Sequence, residues 1–420
     1  MSNSTGVVNV THDLLNDWAA KPDGPVALRL KQRLLPVEES GIIFPPTYAD
    51  IGYSIDTLSD GTRVVTIDSV GSQANRLEPI FKSDSQDRNQ WLVPQIEIVI
   101  RTEDCGGCSA CRTNSEKGEA KRGRRERCER PREVTRSLLE LAHRAADAVV
   151  RSSPTLLELV EPAFKALHRG DAGPLCAIAP TSLVFGVWDS RGEGEKRPRL
   201  VRSIIRAWDV EPLHAAAQFN SVWKLLDEPQ REELEKAVKN KGRVDKLSTA
   251  GLADAPATFR KVSSSAGRYM QEFRDGSPNP ERRVLGGVLV KERIEREVTV
   301  NLVALRGLRG KDDTETAAIR KYLLGLSLVV ATADIELYLR EGCLLHYAEK
   351  GDAWYEVPRR GEPTLASLTA ETALAYAKIA AQHFRSKWPD GAKLKHEFNL
   401  VEAKLLLAKK TAEEEPAQAG

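Results

Sequence analysis

The sequence predicts an α+β protein organised around one antiparallel sheet, and two observations carry that expectation. "PVALRLKQRLLPV" (25–37) alternates apolar with polar residues through its first half and "TRVVTI" (62–67) is enriched in β-branched residues, while "DDTETAAIRKYLLGLSLVVATA" reads as a helix. Strands and helices also interleave at unequal separations filled by long insertions, which favours α+β layers over a regular α/β repeat. Two smaller lobes are the alternative architecture, and no clean linker divides the chain.

The elements follow in order. After "GIIFPPTYADIG", whose Pro pair breaks the first strand, comes "TRVVTI". "WLVPQIEIVIR" (91–101) is next, with Pro94 placing it at an edge or confining the strand to its later half. Residues 102–132 lose all hydrophobic period and read as an insertion outside the core. Helical spacing returns in "EVTRSLLELAHRAADAVVRS" (133–152) and in "PTLLELVEPAFKALHRG", where Pro154 suits a first turn and Gly170 a stop. "TSLVFGVWDS" (181–190) reads as a strand, and "SIIRAWDV" with "EPLHAAAQFNSVWKLLDEPQREELEKAVKN" as mostly helical.

Residues 241–280 form a Gly-, Ser-, Ala- and Lys-rich loop without period. "RVLGGVLVKERIEREVTVNLVALRGL" (283–308) reads as two strands around a charged bend. A helix with an acidic first turn follows, then the strand-like "DIELYLREGCLLHYA", then the amphipathic helix of "TLASLTAETALAYAKIAAQHFRSKW". The expected organisation is an N-terminal extension (1–24), a core (25–350) carrying the insertion at 102–132 and the loop at 241–280, a C-terminal helical region (351–410) and a disordered tail (411–420).

Hydrophobic residues make up 41% of the 420 positions and charged residues 29%, the composition of a soluble globular chain with a sizeable core. The start lacks the basic and apolar segments of a secretory signal, and "YLLGLSLVVATA" (322–333) is too short to span a bilayer. A cytoplasmic protein with no membrane partner is expected. The net charge of +2 announces no nucleic acid, so local charge has to carry that argument.

Four of the six cysteines crowd together: Cys105, Cys108 and Cys111 in a C-x₂-C-x₂-C run, with Cys128 beyond. Cysteines three apart on a turn of small residues present two thiolates to one tetrahedral ion, and an insertion with no apolar core needs metal to fold it. A structural zinc is therefore expected. Unpaired thiols in a loop are the plainer alternative, and an iron–sulfur cluster is a third. Cys176 and Cys343 sit in apolar surroundings as ordinary core residues.

Beside the cysteines lies "KRGRRERCERPR" (121–132), with Arg122, Arg124, Arg125 and Arg127 among its cations. Most charge runs are solvated faces, but a run biased to Arg suits phosphate through its planar fork. A second basic set includes Arg191, Lys196, Arg197, Arg199 and Arg202. Catalytic signals are poor, because no metalloprotease, nucleophile-elbow or Walker A pattern occurs and the seven histidines are scattered. Asp68, Asp189 and Asp209 stand near element ends, where a carboxylate is more often a cap than an acid.

"DSVGSQANRLE" (68–78) opens a helix through small hydroxyl residues directly after a strand, leaving backbone amides free to meet an anion. Asp68 or Ser69 fits a cap. Capping alone accounts for Ser69 or Ser72 but not for Gln73, Asn75 and Arg76 beside them, which can reach outward.

That stretch, with "PTSLVFGVWDSRG", "RLVRSIIRAWDV" and the earlier "GIIFPPTYADIG", resembles the backbone subunit of type I-U (I-G) CRISPR effector complexes, a member of the RAMP superfamily, from about residue 25 to about 350. The resemblance implies a modified RRM-like (ferredoxin-like) palm with inserted finger and thumb elements. It implies copies assembled head-to-tail along one guide RNA (crRNA), with companion effector subunits, to recognise target DNA without cutting it. It also implies guide contacts from Ser69, Ser72, Gln73, Asn75 and Arg76. The Cys/Arg insertion departs from the type I pattern, although zinc-bound insertions occur among RAMP relatives. The rival expectation from the same superfamily is an endoribonuclease using a loop aspartate, for which Asp245 and Asp254 are the candidates.

Overall fold

The computed structural model describes residues 7–48, 51–101, 133–190, 192, 194–215, 226–239 and 284–414. Its main sheet has eleven strands, and five of them position everything that follows. They are β1 (Ala27–Pro36), β2 (Arg63–Asp68), β3 (Val201–Ala215), β4 (Val284–Asn301) and β5 (Ala353–Val357), lying in the spatial order β5–β1–β4–β3–β2 with every neighbouring pair antiparallel. A parallel pair, Val8–Asn9 on Thr364–Ser367, extends one edge, so the fold is α+β with a mixed sheet.

β1 forms as its alternation predicts, with Leu28, Leu30, Gln32 and Leu34 turned inward and Arg29, Lys31 and Arg33 outward. The inward face is covered by α2, numbered after the short helix α1 (Val70–Leu77) that follows β2. α2 (Asp313–Thr332) opens on Asp312, whose side chain accepts from the Glu315 amide, and it buries Ile319, Tyr322, Leu323, Leu324, Leu326, Leu328 and Val330. Each fully buried Leu contributes about 1.5–3 kcal/mol relative to exposure. The "YLLGLSLVV" run is thus core. The helix Ala370–Arg385 packs on α2 at Gly325, where a Cβ would come within 2.8 Å of the Ala377 Cα.

"PTLLELVEPAFKALHRG" is the expected helix, Pro154–His168, with Pro at its first turn and Gly170 at φ +96 beyond its end. Cys176 and Cys343 are buried thiols, as read from their surroundings.

Four stretches differ from expectation. "EVTRSLLELAHRAADAVVRS" is not one helix: Glu133–Ser137 is a strand paired antiparallel with Glu97–Arg101, and short 3₁₀ turns follow. Ser137 and Glu140 make a reciprocal capping box that ends the strand at once. "SIIRAWDV" lies in β3, because its inward set Val201, Ser203, Ile205 and Ala207 follows period 2.

"TSLV" is helical instead, within Pro180–Val184, and only Val187–Trp188 remains strand. A short apolar run fits either state, and Pro at the first turn decides it. Residues 284–301 form one strand, not two around a bend. Its charges Arg293, Glu295 and Glu297 simply face outward, between the inward Ile294, Arg296 and Val298.

A three-stranded sheet of Glu97–Arg101, Glu133–Ser137 and Lys395–Glu397 stands apart from the main sheet. Arg101 and Glu133 are partners on one ladder rung, with Arg101 Nε 3.2 Å from the Glu133 carboxylate, so the two ends flanking residues 102–132 meet.

Candidate nucleic-acid interface

The segment after β2 is built mainly for the interior. Ser69 caps α1, its Oγ accepting from the Ser72 amide at 3.3 Å. Gln73 does not reach outward. It is fully buried, donating from Nε2 to Asp68 Oδ2 at 2.6 Å and accepting from the Ser203 hydroxyl at 2.7 Å.

Arg76 is also drawn in: its Nε lies 3.2 Å from the buried Asp68 carboxylate, and Nη2 donates to the Leu339 carbonyl at 2.6 Å. Arg340 approaches the same carboxylate at 3.6 Å. Of the five residues singled out in this stretch, Asn75 alone is exposed, while Ser69 and Ser72 are half-buried.

Gln73 belongs to a polar chain that crosses beneath the sheet. From Ser203 it continues to Arg296, whose Nε donates to the Ser203 hydroxyl at 3.2 Å, and from Arg296 Nη1 to Gln32 Oε1 at 2.7 Å. Gln32 then donates to Asp352 at 2.8 Å. Arg296 is fully buried, and burial pushes its pKa down. It also donates to the carbonyl of Ala333, the C-cap of α2, at 3.2 Å, so a cation meets the negative end of that helix. Asp189 is buried and paired with Arg151. Asp68 and Asp189 are therefore structural anions.

The outward face of the sheet has a different character. Register aligns Tyr355, Arg29, Thr299 and Arg202 in one row across β5, β1, β4 and β3. Arg33, Glu295 and Arg206 make a parallel row. The Arg29 guanidinium lies 4.8 Å from the Tyr355 ring centroid, and that of Arg293 lies 4.4 Å from Trp208.

Lys31 is partly neutralised by Glu295 at 3.5 Å, and Arg293 pairs with Glu292. Arg202 and Arg206 have no acidic partner among the described residues. Two buried donors on this face, Arg29 Nε and Trp208 Nε1, have no hydrogen-bond partner among the described residues. Unpaired guanidinium groups on an open sheet face can meet acceptor-rich, anionic ligands.

The signal for Arg29, Lys31 and Arg33 was present in the alternation of "LRLKQR", where three cations share one face. The solvated side of any half-buried strand shows the same alternation, so the pattern alone does not mark a site.

The second basic set lies at a β-hairpin, Val187–Trp188 against Lys196–Arg197. Arg199 and Arg202 are exposed, and Arg197 pairs with Glu195 at 2.8 Å. Arg191 lies outside the described residues, as do Arg122, Arg124, Arg125, Arg127, the four clustered cysteines, Asp245 and Asp254. Among the described residues no group of three or more His, Cys, Asp or Glu side chains is placed to hold a metal, and no helix is long and apolar enough to cross a membrane.

Residues 28–212 match the family model of CRISPR-associated protein GSU0053 (Cas_GSU0053). The match covers less than half of the chain and is a likeness to CRISPR-associated proteins over that span. It begins in β1 and ends in β3, and so takes in both the Asp68–Arg76 segment and the basic hairpin. No curated protein matches the chain.

Proposed function

We propose that this chain is a CRISPR-associated, non-catalytic guide-RNA-binding subunit. Copies of it line up head-to-tail along a crRNA as the backbone of a type I effector complex that recognises target DNA alongside companion subunits. The observation that carries the reading is the outward row of Tyr355, Arg29, Thr299 and Arg202, whose two cations have no acidic partner among the described residues. A guide must keep its base edges for the target, so the protein has to grip phosphate and ribose and stack on ring faces. Arginine and aromatic side chains on an open sheet do both.

The strand order supports an RRM-like palm. Counting β1, β3, β4 and β5 along the chain as first to fourth, their spatial order is fourth, first, third, second, all antiparallel. α2 connects the third to the fourth, as in a split βαβ unit. Cys105, Cys108, Cys111 and Cys128 would hold a structural zinc, whose role is to order the segment that carries them. Head-to-tail contacts are heterologous and generate an open helix, which suits a linear guide.

Co-expression with a CRISPR array and the companion subunits tests the reading. The expected result is a complex with high ultraviolet absorbance ratio that holds RNA of discrete length. Protein that purifies free of RNA would overturn it. Incubation with complementary RNA and magnesium should leave that RNA intact, and regularly spaced cuts would replace the scaffold role with a ribonuclease.

A further inference from the structure

Trp188 is 61% exposed, more than any other Trp, Tyr or Phe among the described residues. Its neighbours tie it into the fold. Val187 beside it is buried, and Trp188 pairs with Lys196 across the hairpin. The turn is closed by the Asp189 amide donating to the Glu195 carbonyl at 2.8 Å and the Gly194 amide donating to the Asp189 carbonyl at 3.0 Å. The Asp189 carboxylate is clamped by Arg151, and a Cβ at Gly192 would collide with both groups. Gly186 takes φ +80 at the base, where a Cβ would come within 2.9 Å of the Arg199 side chain. An indole of this size left in water on this hairpin forgoes the burial that usually keeps Trp in a fold.

The charge around the ring selects the partner. Both described acidic groups of the hairpin are engaged internally, Asp189 by Arg151 and Glu195 by Arg197 and His168. Lys196 and Arg199 have no acidic partner among the described residues, and Lys196 Nζ stands 5.5 Å from the Trp188 ring centroid. Among the described residues the rim is therefore cationic and the centre flat and aromatic. A protein partner would need a matching acidic rim, whereas a nucleotide carries both halves itself, a π-face and an adjoining phosphate.

We propose that Trp188 is a stacking platform for one nucleobase of a single-stranded RNA, with Lys196 and Arg199 meeting the adjoining phosphates. This rests on the RNA-binding reading and adds to it a site that grips bases, built on residues outside the Asp68–Arg76 segment. Stacking tolerates any base, so the site takes single strands without sequence preference.

The test compares the full-length chain with Trp188→Ala and Trp188→Phe. The probes are an oligouridylate and an abasic ribose-phosphate oligomer of the same length, with binding followed by fluorescence anisotropy. Trp188→Ala should weaken oligouridylate binding on the order of 5- to 100-fold, leave the abasic oligomer unchanged, and be largely rescued in Trp188→Phe. Equal loss on both oligomers, or no loss on either, would overturn the stacking site while leaving RNA binding intact. Unchanged RNA binding with lost retention of companion subunits would reassign the ring to a protein contact. A wild-type chain that binds neither oligomer would remove the RNA-binding reading itself.

Discussion

The Arg76 guanidinium stands 3.2 Å from the Asp68 carboxylate, which is 1% exposed, and so joins the last residue of β2 to the last turn of α1. A cation that looked free to meet a phosphate is the partner of a buried anion. Arg76→Ala should therefore cost about 1–3 kcal/mol of stability, because Asp68 keeps only Arg340 and Gln73. Urea unfolding measures this. A variant as stable as wild type that loses RNA would restore Arg76 to the interface.

The outward row makes a separate prediction. Arg29→Ala, Arg202→Ala and Arg206→Ala should each weaken RNA binding alike for all sequences and lower the salt slope by about one. Thermal stability should change little, since none of the three is in an ion pair among the described residues. Slopes unchanged in all three variants would sink the assignment of this face.

For the cysteine segment, freshly purified protein should contain close to one zinc per chain, falling on Cys105→Ser and Cys108→Ser. Elemental analysis decides it. Absence of zinc from the wild type would reject the metal.

His396 predicts a pH dependence. Its Nδ1 lies 2.8 Å from the Thr155 hydroxyl and its Nε2 is 2.9 Å from the Lys393 carbonyl, an arrangement in which a neutral ring donates from Nε2 and accepts at Nδ1. Burial pushes its pKa below the ordinary 6.5. The unfolded chain then binds the proton more readily, so stability is complete above pH 6.5 and falls as the pH drops, by at most about 1.4 kcal/mol per unit. Thermal melts of wild type and His396→Phe across this range should diverge on the acid side. Parallel curves would exclude the effect.

Where side-chain period alone settled the structure, the sequence was readable. β1, α2 and Pro154–His168 follow their patterns because burial rewards the same residues that the pattern marks. β4 was misread at "KERIERE", where a buried Arg296 stands at an inward position and imitates a break. No local rule reveals that Gln32 and the end of α2 will satisfy that guanidinium.

Gln73 went wrong for the same reason, since its partner Ser203 lies 130 positions away. Polar side chains default to the surface in any sequence reading, and long-range partners reverse that default. The candidate interface failed in the opposite sense. Alternation puts Arg29, Lys31 and Arg33 on one face of β1, but only the register sets Arg29 in a row with Tyr355 and Arg202.

The Arg101–Glu133 rung has a consequence for how the chain is put together. Because the chain departs and returns at a single rung, a tight two-residue turn in place of residues 102–132 would preserve the pairing of those strands. The zinc-ligand candidates and the densest arginine run lie together in that stretch of sequence. Gain or loss of the whole stretch would leave the sheet register, and hence the outward row, where it is.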